Sequence, residues 1–184
     1  ALPKAVLMLP TARPKCLGFT LIEAMVTLLL LAVVALLAAP SLQRMIETRW
    51  LHGTAGHIAT TLHHARASAV ARQERTAVSL ITRRGGGLCQ LTHTGRAADC
   101  SCSAPAAAQC SGDAQLIAAV HLPERTRLAI SVTAASIRFD PRAGTATPAG
   151  RWVLRTTSGR EIQTVVSLTG RVRSCARGPQ ELGY

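Results

Sequence analysis

The sequence predicts an α+β fold, in which one long N-terminal α-helix, transmembrane in its first half, packs on a C-terminal antiparallel β-sheet domain. Three observations predict it. Residues 24–39 are an apolar run interrupted only by Thr27. Helical periodicity follows this run, and from Thr76 the apolar residues repeat with a period of two. With 184 residues, 48% of them apolar, the chain has material for one globular domain and is too apolar for a disordered one.

Residues 19–39 have the length of a membrane span. These 21 residues extend about 31 Å as a helix, which matches the apolar thickness of a bilayer. Lys4, Arg13 and Lys15 precede the span, so the positive-inside rule places them in the cytoplasm and the remainder of the chain beyond the inner membrane. The sequence predicts a single-pass protein with a periplasmic globular domain.

A carboxylate lies near the start of this apolar segment. An ionised Glu23 in hydrocarbon costs about 3 kcal/mol or more, which makes it a functional candidate, while a carboxylate that caps a helix at the membrane interface is the plainer interpretation. Residues 18–23, GFTLIE, resemble the leader site of the type IV pilin superfamily, and Pro40 is placed like the helix-kinking proline of pilins.

The resemblance implies bacterial filament chemistry. Prepilin peptidase would cut after Gly18 and methylate the new N-terminal Phe19, and Glu23 would pair with the N-terminal amine of a neighbouring subunit during assembly. The implied partners are other pilins or pseudopilins, the peptidase and the bacterial inner membrane, with an extracellular filament as a further location.

The chain is accordingly divided into four predicted segments. They are a prepilin leader at 1–18, the transmembrane part of the helix at 19–39, its periplasmic part at 40–75, and an antiparallel sheet domain at 76–184.

The periplasmic part of the helix carries one apolar stripe, because apolar residues recur at steps of three and four and should pack on a sheet: Leu51, Ala55, Ile58, Leu62, Ala65 and Ala69. We expect the helix to end within residues 72–75.

Alternation predicts the strands that follow. The first begins at Thr76 with Val78 and Leu80 on one face, and residues 83–87 form a turn. Later strands are expected at residues 127–133, 136–140, 152–156 and 161–168. The side chains expected to face the core are Leu128, Ile130, Val132, Ile137, Phe139, Ile162, Thr164, Val166 and Leu168.

Within the superfamily, short motifs resemble the FimT and GspH minor pseudopilins. They are residues 62–70 (LHHARASAV), residues 137–139 (IRF) with Gly144, and residues 170–173 (GRVR).

Six cysteines occur in the chain, and loss of the leader would remove Cys16 and leave five. An oxidising periplasm permits disulfides. We expect one within Cys100, Cys102 and Cys110, and a second between Cys89 and Cys175, although the connectivity does not follow from sequence. Zinc held by the three loop cysteines and His93 is the alternative, but their spacing fits no standard structural site. We therefore expect no metal and no cofactor.

Neither histidines nor motifs indicate catalysis. The helix histidines His52, His57, His63 and His64 lack the acid of a zinc-binding H-E-x-x-H, so we expect them to face solvent. A nucleophile elbow, a phosphate loop and a Ser/His/Asp set are all missing from the sequence. The sequence predicts a protein that is not an enzyme.

Excess positive charge is the remaining feature. The net charge is +12, and without the leader 18 arginines face nine acids. Guanidinium groups donate paired hydrogen bonds to phosphate, so an aromatic-poor basic surface suits a nucleic-acid backbone. In an extended strand Arg171 and Arg173 would project together, about 6.6 Å apart, with Gly170 allowing a turn and Arg177 extending the track.

Two functions remain open. The GRVR motif also resembles the DNA-contacting element of FimT-type minor pilins, which act in natural transformation. The first function is therefore a minor pilin that binds DNA without sequence preference. The alternative is a purely structural, GspH-like pseudopilin of the type II secretion system, with the arginines discouraging pairing at a sheet edge.

Overall fold

The computed structural model describes residues 20–82, 87–103, 108–122 and 128–177. Outside these ranges lie the predicted leader (residues 1–18, including Gly18), Phe19, and residues 83–86 of the predicted turn. The chain divides into two compact units, Ala1–Ser41 and Leu42–Tyr184.

Helix α1 spans Leu21–Arg72 and contains Pro40. It begins at a cap, because the Thr20 hydroxyl oxygen accepts a hydrogen bond from the Glu23 amide at 3.3 Å. The order T-x-x-E is that of a capping box. Among the described residues α1 is the one helix long and apolar enough to cross a membrane, and none of its apolar window is buried.

The second part of α1 packs on the sheets as the sequence predicts. Its buried residues are the six of the predicted stripe: Leu51, Ala55, Ile58, Leu62, Ala65 and Ala69. The four histidines of α1 are all exposed. The long helix on antiparallel sheets confirms the predicted α+β class.

Eleven strands are described, and one short 3-10 helix, Ala97–Asp99, separates two of them. The strands are β1 (Thr76–Thr82), β2 (Leu88–Thr94), β3 (Cys100–Cys102), β4 (Ala108–Cys110), β5 (Leu116–Leu122), β6 (Leu128–Val132), β7 (Ser136–Phe139), β8 (Ala146–Thr147), β9 (Gly150–Thr156), β10 (Glu161–Val166) and β11 (Val172–Arg177).

The strands form two main sheets and a hairpin. A five-stranded sheet has the order β5-β2-β1-β7-β8, a four-stranded sheet has the order β11-β10-β9-β6, and β3 pairs with β4. Every pairing is antiparallel. We call them the first sheet, the second sheet and the cysteine hairpin.

Both sheets contribute to one core with α1. Phe139 of the first sheet and Trp152 of the second are fully buried in it beside Ile58 and Leu62. The Trp152 indole donates a hydrogen bond to the Ala134 carbonyl at 2.9 Å, so its polar edge is satisfied. A smaller cluster lies under the cysteine hairpin and contains Leu91 and Ala114.

Two predicted core positions are wrong. Leu168 is 63% exposed, because β10 ends at Val166 and Leu168 lies in the turn that follows. Val132 is 36% exposed at the end of β6, which is an edge strand of the second sheet. The other predicted inward residues of these strands are buried or half-buried.

Candidate functional site

Arg173 and Arg177 of the predicted arginine track lie on β11, at the edge of the second sheet, and Gly170 and Arg171 directly precede that strand. Val172 is buried in the core, whereas Arg171 and Arg173 are exposed. Because side chains alternate along a strand, Arg173, Cys175 and Arg177 all lie on the face opposite Val172. We call that side of the second sheet the arginine face.

Strand register brings two further arginines to this face. Val165 of β10 pairs with Arg173 on one side and with Arg151 of β9 on the other. One row therefore carries an arginine on each side of a half-buried valine. Adjacent strands are about 4.8 Å apart, so the two Cα atoms are separated by about 10 Å.

A second row lies four residues further along. Glu161 of β10 pairs with Arg177 on one side and Arg155 on the other. The Arg155 guanidinium donates to Glu161 Oε2 from Nη2 at 2.7 Å and from Nε at 3.2 Å. Glu161 thus neutralises one arginine of the row.

The arginine face therefore carries a net positive charge. Of the residues that the structure describes on β6, β9, β10 and β11, Glu161 is the only acid. Within the described part of the chain no ion pair joins a carboxylate to the remaining arginines, which are Arg151, Arg171, Arg173 and Arg177.

The turn before β11 is held at Gly170. Gly170 has a φ of +75°, and its amide donates to the Ser167 carbonyl at 2.9 Å. Its α-carbon is packed so closely against the Gly144 carbonyl that a side chain would collide with it. The predicted role of Gly170 in a turn is consistent with this geometry, which places Arg171 at the start of the exposed track.

The cysteines pair differently from the prediction in one respect. Cys100 is bonded to Cys110, within the expected trio, but Cys89 is bonded to Cys102 and Cys175 is free and exposed. The expected Cys89–Cys175 bridge is wrong because β2 and β11 belong to different sheets, and Cys175 lies on the outer side of its own.

The structure places His93 and His121 in different surroundings. His93 is fully buried and bonds to the Ser79 hydroxyl at 2.8 Å, so it does not belong with the loop cysteines. His121, which the sequence did not single out, pairs with Cys89 across β2 and β5. Only strand register reveals this neighbour, because the two residues are far apart in the chain.

Of the residues predicted to act in leader cleavage and filament assembly, Glu23 is the one that lies within the described ranges. Its side chain is exposed in the first turn of α1. The cap formed with Thr20 fits the plainer interpretation of a carboxylate at a helix start, and it is compatible with a second role for the exposed carboxylate.

Comparison with known families gives two matches. Residues 54–170 match the family described as type II transport protein GspH, and residues 13–39 match the prokaryotic N-terminal methylation motif. The first match ends at Gly170, one residue before Arg171. No curated protein matches the chain.

Among solved structures, the chain is similar to the type IV minor pilin FimU of Pseudomonas aeruginosa. In one crystal form the identity is 18% and the TM-score 0.48, covering 70% of this chain and 90% of that one. In a second form the identity is 17% and the TM-score 0.45, covering 69% and 97%.

Proposed function

The chain belongs to the GspH family of type II transport proteins, and from that membership we propose that it is a membrane-anchored minor pilin or pseudopilin whose arginine face binds DNA without sequence preference. The anchor is the apolar first part of α1, with the globular domain in the periplasm. The filament is a type IV pilus or the pseudopilus of a type II secretion system.

The methylation motif supports the assembly part of the proposal, because it covers the predicted cleavage site, Phe19 and Glu23. After cleavage at Gly18, the Phe19 amine of one subunit would meet the Glu23 carboxylate of another. Two charges that leave water together satisfy each other, whereas either alone would be costly in the apolar filament core.

The single observation that carries the DNA proposal is the arrangement of the arginines. Arg151 and Arg173 lie in one row, Arg155 and Arg177 in a second, and only Glu161 opposes them among the described residues of the face. The guanidinium fork suits phosphate oxygens, and phosphate contacts carry affinity without sequence information.

The geometry suits a strand of phosphates crossing the sheet edge. Extended spacing places Arg171, which directly precedes β11, about 6.6 Å from Arg173 on that strand, and Arg151 continues the charge onto β9. Between the arginines the face offers Val153, Val165 and Gln163, and its described residues include no aromatic ring. Backbone contact rather than base stacking is therefore the expected mode.

One observation favours the structural alternative. Strand β11 is an edge strand, and cationic side chains protect such edges from pairing with other chains. In that case the arginines serve solubility, and the protein is a pseudopilin of a secretion filament without a nucleic-acid ligand.

Cys175 provides a reporter on the arginine face, since it lies between Arg173 and Arg177 on β11 and is free and exposed. The test uses the full chain in non-ionic detergent, with Cys16 replaced by Ser. Maleimide labelling of Cys175 should slow several-fold when duplex DNA is added at low salt, and high salt should restore the rate.

The matched control moves the thiol off the face in a Cys175→Ser/Ser111→Cys variant, because Ser111 is exposed beside the cysteine hairpin. Its labelling should be insensitive to DNA. DNA that binds without slowing Cys175 would contradict the arginine face as the site. An absence of binding at low salt would favour the structural pseudopilin.

A further inference from the structure

A thiol–imidazole cluster lies on the first sheet, away from the arginine face. Cys89 of β2, Cys102 of β3 and His121 of β5 bring their ligand atoms within 4.8 Å of one another. The His121 Nδ1 atom is 3.2 Å from Cys89 Sγ and 3.5 Å from Cys102 Sγ. One ring nitrogen therefore faces both sulfurs of the Cys89–Cys102 disulfide.

We propose that Cys89, Cys102 and His121 form a binding site for Zn²⁺, which becomes available when the Cys89–Cys102 disulfide is reduced. Two thiolates and an imidazole are ligands that this cation prefers, and three protein ligands leave a fourth position open. The site shares Cys102 with the loop-cysteine and His93 set whose spacing argued against zinc, but its other two ligands are Cys89 and His121.

The distances are those of a nearly formed coordination shell. With Zn–S at about 2.3 Å and Zn–N at about 2.1 Å, tetrahedral geometry places sulfur and nitrogen ligands about 3.6 Å apart. Both observed sulfur–nitrogen distances approach this value. Once the disulfide is open, the main movement required is separation of the two sulfurs to about 3.8 Å.

The surrounding fold would hold the ligands in place after reduction. Cys89 and His121 are cross-strand partners in the first sheet. Cys102 belongs to the cysteine hairpin, which packs on that sheet through Leu91 and Ala114 and is closed by its own disulfide, Cys100–Cys110. Opening one bridge therefore leaves the hairpin attached by packing.

A metal ion can reach the cluster from the β5 edge of the first sheet. Both cysteines are buried, whereas His121 is half-buried on β5, which is an edge strand of the first sheet. The imidazole thus lies between the sulfurs and solvent. An ion entering from the edge would meet His121 first and the two thiolates behind it.

Opening the Cys89–Cys102 disulfide requires a reductant, and a dithiol can supply the electrons. A dithiol reduces the disulfide by exchange, supplies two electrons and two protons, and becomes a disulfide itself. The two Cys thiols then lose their protons on binding Zn²⁺, so metal binding is proton-coupled. In the oxidised chain the sulfurs carry no thiolate and the site is closed to the ion.

The test uses Co²⁺ as a spectroscopic probe for Zn²⁺. The full chain in detergent, with Cys16, Cys100, Cys110 and Cys175 replaced by Ser, retains only the two site cysteines. After reduction by a phosphine and removal of the reductant, one equivalent of Co²⁺ should give a sulfur-to-cobalt charge-transfer band. One equivalent of Zn²⁺ should abolish that band.

A second comparison keeps all the cysteines, in case the Ser replacements impair folding. His121→Ala should weaken Zn²⁺ binding to the reduced chain by about tenfold or more, as loss of metal-site groups does. His63→Ala is the matched control, because His63 is an exposed imidazole on α1. Its Zn²⁺ affinity should equal that of the unsubstituted chain.

Two results would overturn the proposal. The first is a reduced chain that gives no charge-transfer band with Co²⁺ while its circular dichroism shows it to be folded. The second is a Zn²⁺ affinity that His121→Ala and His63→Ala leave equally unchanged.

Discussion

The Nε atom of Arg66, on the buried side of α1, donates a hydrogen bond to the backbone carbonyl of Gly144 at 3.0 Å. The same carbonyl packs against the α-carbon of Gly170. Gly144 and Gly170 both have positive φ, at +63° and +75°. Arg66 therefore joins the helix to two turns, one of which begins the arginine track.

Loss of the Arg66 guanidinium should destabilise this junction. Arg66→Met keeps an apolar stem but leaves the Gly144 carbonyl without its charged donor, which should lower the free energy of unfolding by about 1–3 kcal/mol. Arg72→Met is the control, because Arg72 is exposed in the last turn of the same helix. Denaturant unfolding of both variants measures the difference, and equal losses would contradict the assigned role of Arg66.

A side chain at Gly170 should be more harmful than one at an open glycine. Gly170→Ala combines positive-φ strain with a collision against the Gly144 carbonyl, so we expect a loss of about 1–3 kcal/mol beyond the control. The control is Gly159→Ala, since Gly159 has a φ of +85° with open space around its α-carbon. Thermal unfolding compares the two variants. Similar stabilities would show that the close contact between Gly170 and the Gly144 carbonyl contributes little to the free energy of unfolding.

Removal of the Glu23 carboxylate should block filament assembly without blocking leader removal. Glu23→Ala would leave the Phe19 amine of a neighbouring subunit without its counter-charge. Thr27→Ala is the control, because the Thr27 hydroxyl donates to the Ala24 carbonyl of its own helix. The mass of the N-terminus reports cleavage, and the subunit content of sheared filaments reports assembly. Glu23→Ala at normal abundance in filaments would contradict the proposed pairing.

The helix was predictable because its burial follows a simple period. Six residues recurring at steps of three and four are the six that the structure buries. Later strands were predictable for the same reason, since β9 and β10 alternate strictly between the core and the arginine face. Their bounds differ from the prediction by only a few residues.

Strand β2 was missed because its sequence does not alternate between apolar and polar residues. All of its residues except the half-buried Leu88 are buried, and Cys89 and Leu91 pack in the cluster under the cysteine hairpin. Alternation disappears when a strand is covered on both faces. Strands β3 and β4 have three residues each, too few for a period to show.

The prediction of a Cys89–Cys175 disulfide failed because sequence does not show which residues become neighbours in the fold. The pairing of Cys89 with Cys102 depends on which sheet the cysteine hairpin covers, and only the tertiary structure shows that. The three motifs at residues 62–70, 137–144 and 170–173 were recognised separately. Their meeting at Arg66, Gly144 and Gly170 required the structure.

The central claim is that the arginine face binds nucleic-acid phosphates, and the salt dependence of DNA binding tests it most directly. For the full chain in detergent, the slope of the logarithm of the binding constant against that of salt concentration counts phosphate contacts at about 0.9 each. Arg171→Gln/Arg173→Gln should flatten the slope by about two units. Arg96→Gln/Arg142→Gln removes the same charge from exposed positions outside the face and should leave the slope unchanged. Equal slopes for the two double variants would contradict the claim.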